Sequence, residues 1–251
     1  MSKELHVFTI GTKSYIKIID EYFLTTLPPD IDYMNILYFH DMEDIHRTGT
    51  APFEIKKLER ILHEIRAHMG HNLFFIDGDV VFAEGAPFKD EINEFLEEYD
   101  VLFQFNDLWY NFGVLAIACN ERTEEFFRHF LEVESPKIVE SHRLHDQHVV
   151  NAMLGIYHPN AGFKVEVQRE FKFEELKHAH LPLTYFANHF SDHKYPDSVP
   201  EDVILFHATN TINMERKIKL LFLARYLASI KWCQLCLLYT SPSPRDATLS
   251  G

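Results

Sequence analysis

Apolar positions along this chain switch repeatedly between short unbroken runs and a helical spacing. The run "LHVFTI" predicts a first strand, and Gly11 leads from it into "SYIKIIDEYFLTTL", an amphipathic helix stopped by Pro28 and Pro29. "MNILYFH" predicts a second strand. Ile55, Leu58, Ile61, Leu62 and Ile65 recur on one helical face, so residues 54–68 predict a helix. Leu73 to Ile76 then form a buried strand that stops at Asp77. Phe88, Ile92, Phe95 and Leu96 mark a short helix, and "DVLFQF" marks another strand. "FGVLAIA" reads as a strand followed by a helix with Phe126, Phe127, Phe130 and Leu131 on one face. "DQHVVNAML" predicts a helix, residues 155–200 are irregular, "DVILFHA" is a late strand, and "MERKIKLLFLARYLASIKW" closes the chain as a helix. Strands alternating with helices predict one α/β domain, with a mostly parallel central sheet and helices on both faces.

Composition narrows the class. Of 251 residues, 46% are apolar and 25% charged, which is a globular balance, and 22 phenylalanines predict an aromatic-rich core. A net charge of −14 argues against a nucleic-acid partner and suits a protein that holds divalent cations. No stretch reaches the roughly 18 apolar residues of a membrane span, and "MSKELHVFTIG" lacks the pattern of a signal peptide, so the expected location is cytoplasmic. Cys119, Cys233 and Cys236 show no disulfide spacing, in keeping with a reducing compartment. "CLLYTSPSPRD" resembles the in-frame translation of a sequencing adapter. Residues 1–235 are therefore expected to be the domain and 236–251 a non-native, disordered tail; a natural Ser/Pro-rich tail is the alternative.

The chemistry concentrates in "LFFIDGDVVF". Aspartate is depleted in strands and rarely buried unpaired, yet Asp77 and Asp79 interrupt a core run. In an open parallel sheet, ligands bind beyond the carboxyl ends of the strands. Residues i and i+2 share one side of a strand, so both carboxylates are placed to meet one cation, and Gly78 permits a close approach. Carboxylate oxygens suit Mn²⁺ or Mg²⁺. A second Asp-x-Asp, Asp30-Ile31-Asp32, follows two prolines with no strand before it and reads as a solvated turn.

Four segments in this order resemble one family. They are "FFIDGDVVF"; "YNFGVLAIACN", with Asn111 and Gly113 at the positions of an Asn-x-Gly strand; "HDQHVVNAML", with Asp146 and Gln147 at an Asp-Gln helix start; and "VILFHATN", with His207 at the end of a late strand. Together, over residues 5–230, they resemble the nucleotide-diphospho-sugar transferases of the GT-A fold, the group that includes plant cell-wall xylosyltransferases. Phe112 stands where that family usually has a small residue. The resemblance implies a single GT-A, Rossmann-like domain and a metal-dependent glycosyltransferase. It would move a sugar from a nucleotide diphosphate, UDP rather than GDP, to a hydroxyl of a glycan, protein or small-molecule acceptor. It also implies roles: Asp79 binds Mn²⁺ (or Mg²⁺) directly, Asp77 faces the donor ribose and the metal, and His207 is the third metal ligand. Gly78, Asn111 and Gly113 border the donor, and Asp146 and Gln147 act on the sugar and acceptor. Among Arg216, Lys217 and Lys219 at the start of the last helix, Lys217 is the candidate diphosphate contact, with a solvated helix face as its alternative.

Competing chemistries find less support. "HEIRAH" separates His63 and His68 by five residues, not the four that share a helix face in a zinc protease. His142, His145 and His148 have helical spacing but read as incidental surface residues, and Cys119 reads as packing. No glycine-rich dinucleotide or P-loop motif and no nucleophile elbow occurs. A phosphatase of the haloacid dehalogenase type also ends a strand with Asp-x-Asp, but the later acidic pair it needs is missing. A non-catalytic nucleotide-binding relative is the remaining alternative.

Overall fold

A computed structural model describes residues 3–39, 51–83, 88–106, 109–141, 144–156, 175–187, 203–209 and 213–226. The strands are β1 (Leu5–Thr12), β2 (Tyr33–Phe39), β3 (Asn72–Ile76), β4 (Val80–Phe82), β5 (Val101–Asn106), β6 (Trp109–Ala118), β7 (His178–His180), β8 (Tyr185–Ala187) and β9 (Leu205–His207). The helices are α1 (residues 13–26), α2 (Ala51–Ala67), α3 (Lys89–Glu98), α4 (Glu121–His129), α5 (Pro136–Glu140), α6 (Asp146–Met153) and α7 (residues 214–226). The expected tail at 236–251, His142, Cys233 and Cys236 lie outside the described residues.

Six strands make the central sheet in the order β2-β1-β3-β6-β5-β7. The pairs β1–β2, β1–β3 and β5–β7 are parallel, whereas β6 runs antiparallel to both neighbours. β3 is central and wholly buried, and burial on both faces explains why it is apolar from Leu73 to Ile76. Leu73 and Phe75 pack with α2, α4 and α6 on one face; Phe74 and Ile76 pack with α1 and α3 on the other. This is the expected α/β layering.

Two features depart from the sequence expectation. The late strand does not join the central sheet: β9 pairs with β4 and β8 in a separate three-stranded sheet covered by Leu220 and Leu221 of α7. The apolar run after Asp79 is itself the strand β4, so "LFFIDGDVVF" carries two strands in two sheets with the aspartates between them. Apolar runs on either side of the break look alike, so composition alone does not separate them. Asp32 is also more than a solvated turn: its carboxylate accepts the Leu5 N–H at 2.8 Å and pairs with Lys89 at 2.7 Å. α1 is a succession of 3-10, α and π turns, and near its end the Thr25 and Thr26 hydroxyls donate back to the carbonyls of Glu21 and Tyr22.

Asp100 ties three elements together. Its buried carboxylate accepts hydrogen bonds from Asn120 Nδ2, from Arg122 Nε and Nη2, and from the Lys177 N–H beside β7. Asn120 in turn caps α4 reciprocally with Thr123. Burial alone would raise the Asp100 pKa, but these donors hold it below the ordinary carboxylate value. A group with a depressed folded pKa stabilises above its unfolded value of about 3.9, and that contribution is lost as pH falls through the folded pKa. Asp100→Asn is expected to cost about 1–3 kcal/mol at neutral pH. Urea denaturation at pH 7 and below pH 4 checks this: the gap between wild type and variant shrinks in acid.

Candidate active site

β3 ends at Ile76, and the next N–H, that of Asp77, donates to the Gly113 carbonyl of β6 at 2.7 Å. Asp77 thus continues the Phe75 side of the sheet, toward α2. The chain then turns at Gly78, where a Cβ would lie 2.6 Å from Ile19 Cγ1 of α1, so packing against α1 already requires glycine here. Asp79 follows, and its carbonyl accepts the Ala208 N–H at 3.0 Å, holding it beside the end of β9. Because the strand ends before them, the two aspartates converge through this turn and the β4–β9 pairing rather than as residues on one strand face. Val80 pairs with His207, so the imidazole arrives from the second sheet.

Asp77 Oδ2, Asp79 Oδ1 and His207 Nε2 line a cleft of about 170 Å³, all within 4.8 Å of one another. His207 Nε2 is 3.4 Å from Asp79 Oδ1 and 3.9 Å from Asp77 Oδ2. The orientation of the ring is set by Gln104, fully buried in β5. Its Nε2 donates to the Tyr185 carbonyl at 3.0 Å, which leaves Oε1 to accept from His207 Nδ1 at 2.7 Å. With Nδ1 committed to Gln104, Nε2 is the ring nitrogen left facing the two carboxylates. Three electron-rich atoms facing one point fit a divalent cation.

Lys217 is not on a solvated face. It is buried, its ammonium pairs with Asp79 Oδ2, and it donates to Tyr15 Oη at 2.8 Å. Burial would raise Asp79, but Lys217 and His207 outweigh it and hold the carboxyl well below its usual range. Burial pushes Asp77 the other way, up to about 6, against the pull of Lys57 and His207.

A second ion pair lies beneath. Lys57 of α2 and Asp146 at the start of α6 pair with side chains only 6% and 8% exposed. Lys57 also donates to the Phe112 carbonyl at 3.4 Å, and its ammonium lies 4.9 Å from the Phe112 ring centre. Burial opposes its charge, yet Asp146 and Asp77 raise its pKa above the ordinary lysine value. Glu54 accepts from the Asp146 N–H and bonds His145 Nδ1 at 2.9 Å, so His145 belongs to this network rather than being incidental. Gln147 adjoins it through its backbone: its N–H donates to Asp146 Oδ1 and its carbonyl accepts from Asn151 Nδ2.

β6 bulges between the two clusters. Phe103 pairs with Leu115 but Gln104 pairs with Asn111, so one step along β5 matches four along β6. The bulge sends Phe112 into the core against Phe127 and Phe130. Gly113 remains below the carboxylates, where a Cβ would contact Asp77 Oδ2 and lie 2.6 Å from His207 Cε1. Asn111 braces the bulge, accepting from the Gly113 N–H at 2.7 Å and donating to Thr209 Oγ1 at 3.2 Å. Cys119 is buried with its thiol pushed up to about 12, which keeps it inert.

The model of one protein family, the nucleotide-diphospho-sugar transferases, matches residues 59–221, well over half of the chain. The chain belongs to this family. Among solved structures, the transferase is similar to a glycosyltransferase involved in glycosylation of the major capsid of the virus PBCV-1. The identity is 11%, covering 86% of this chain and 98% of that one, with a TM-score of 0.56. It is also similar to the glycosyltransferase GlyE of Streptococcus pneumoniae TIGR4, at 15% identity over 94% of this chain and 64% of that one, with a TM-score of 0.52. These likenesses show the GT-A fold. No curated protein sequence matches this transferase. No helix among the described residues is long and apolar enough to cross a membrane.

Sequence reasoning missed Lys57, Glu54, Gln104 and Tyr15. Two had signals: Lys57 sits on the apolar stripe of α2 beside Leu58 and Ile61, and Gln104 interrupts the core strand "DVLFQF". Lys57→Met would leave Asp146 buried and unpaired, at an expected cost of about 3–5 kcal/mol. In chemical denaturation, Lys57→Met/Asp146→Leu is expected to recover part of that loss.

Proposed function

We propose that this glycosyltransferase uses a divalent cation, Mn²⁺ or Mg²⁺, held by Asp77, Asp79 and His207, to transfer a sugar from a UDP-sugar to an acceptor hydroxyl. The observation that carries the reading is the set of Asp77 Oδ2, Asp79 Oδ1 and His207 Nε2, with Gln104 committing the other ring nitrogen. Charge supports it: Asp77, Asp79 and Asp146 outnumber the ammonium groups of Lys57 and Lys217 within the linked cluster. A bound cation supplies Lewis acidity at the leaving diphosphate.

The remaining roles fall to the chain. Lys217, already beside Asp79, offers positive charge to the diphosphate oxygens, where negative charge develops as the sugar–phosphate bond breaks. Gly113 borders the donor sugar, its missing Cβ leaving room for Asp77 and His207 to converge, and Asn111 holds the bulge that presents it. Gly78 lines the same cleft. Asp146, with Gln147 beside it, orients the acceptor hydroxyl or stabilises positive character on the sugar, and Lys57 fixes its carboxylate.

Thermal unfolding with UDP or GDP, each with and without Mn²⁺, tests the site. A ligand that binds only the folded state stabilises it by about 2.7 kcal/mol at a hundredfold excess over Kd. The expected result is a Mn²⁺-dependent shift, larger with UDP, that disappears in Asp79→Ala. No shift with either nucleotide in a folded protein would overturn the metal-dependent reading. Gly113→Ala is expected to weaken Mn²⁺-dependent nucleotide binding by about tenfold or more, because the added methyl displaces Asp77 and His207. Calorimetric titration measures this, and an unchanged far-UV spectrum confirms that the fold survives.

A further inference from the structure

A second cluster of ligand atoms lies at the opposite end of the central sheet. His6 stands at the start of β1, Glu4 immediately precedes that strand, and His71 immediately precedes β3. From His6 to the cleft end of β1 is roughly 20 Å at strand rise. His6 is 9% exposed. His6 Nε2 and His71 Nδ1 are both buried and make no hydrogen bond. Glu4 Oε2 lies 3.3 Å from the first and 3.5 Å from the second, and the three atoms fall within 4.8 Å of one another. Two ring nitrogens that make no well-aligned hydrogen bond thus converge on one carboxylate oxygen, the donor set of a cation site.

The cluster is held by its surroundings. The Asn72 N–H donates to the Glu4 carbonyl at 3.0 Å, and the Cys119 N–H donates to the His71 carbonyl at 3.0 Å. The His6 ring is stacked between Tyr33, at 4.7 Å, and His68, at 3.9 Å. His68 Nε2 is itself 3.1 Å from Glu64 Oε2. Backbone and ring positions are thus set before any ligand arrives.

We propose that Glu4, His6 and His71 form a Zn²⁺ site that ties the segment entering β1 to the start of β3. Two imidazoles and one carboxylate suit zinc, whereas the two carboxylates and one imidazole of the cleft suit the harder Mn²⁺ or Mg²⁺. Three protein ligands leave a fourth position for water. The inference does not rest on the reading of the cleft.

The test uses the full chain carrying Asp79→Asn, which weakens metal binding in the cleft. Zn²⁺ is titrated by calorimetry, and Co²⁺ is substituted to read the visible band of a tetrahedral site. One tight Zn²⁺ per chain is expected, resistant to excess Mn²⁺. Adding His71→Ala is expected to weaken it by at least about tenfold and abolish the Co²⁺ band. Glu4→Gln, at a residue half-exposed on the surface, decides the matter if His71→Ala does not fold. Failure of Asp79→Asn to take up Zn²⁺, or unchanged affinity in the added variants, would overturn the proposal.

Discussion

The structure around the cleft depends on offsetting the burial of carboxylates at the end of β3. Moving a charge into a protein interior costs several kcal/mol after relaxation, and a buried pair recovers this only with good geometry and further hydrogen bonds. Asp77 and Asp79 meet this constraint in different ways. Asp79 has Lys217 and His207 against it and stays ionised. Asp77 has more distant cations, and its pKa rises. α7 contributes Lys217 and β9 contributes His207, so two elements far apart in sequence are pinned to one strand end, while Lys57 of α2, paired with Asp146, adds positive charge near Asp77.

The two-sheet arrangement serves the same end. A parallel strand can present residues only at its own terminus. By turning at Gly78 into a second sheet, the chain sets β4 against β9 and brings an imidazole to the carboxylates from a different direction. The bulge in β6 adjusts the floor: it buries Phe112, clears space at Gly113, and exposes a carbonyl to Lys57. Gln104 lies across the strand from this bulge and links the small sheet to the large one through Tyr185 and His207.

The two ends of the central sheet differ in ligand chemistry as well as position. At the carboxyl end of β3 the donors are mostly oxygen, line a cleft, and lie beside the buried lysines Lys57 and Lys217. At the amino end they are mostly imidazole nitrogen and rest on stacked rings and backbone hydrogen bonds.

Local pattern was sufficient wherever one short segment carried its own signal. The helix around Leu58 to Ile65, the buried strand Leu73 to Ile76 and the break at Asp77 follow from periodicity and from the penalty on aspartate in a strand, and the order of four motifs marked the family. What the chain did not disclose locally was pairing between distant segments. Val80 to Phe82 is apolar whichever sheet it joins, and only its partner β9 decides that. By local pattern Lys217 fits either a diphosphate contact or a solvated helix face, and only folding buries it on Asp79, 138 positions away. Lys57 and Asp146 each look ordinary alone and become a buried pair only when α2 and α6 pack on the same face of the sheet. Burial and charge compensation are properties of the assembled contacts, so the sequence alone determined which elements form, and tertiary structure decided which charges share a cavity.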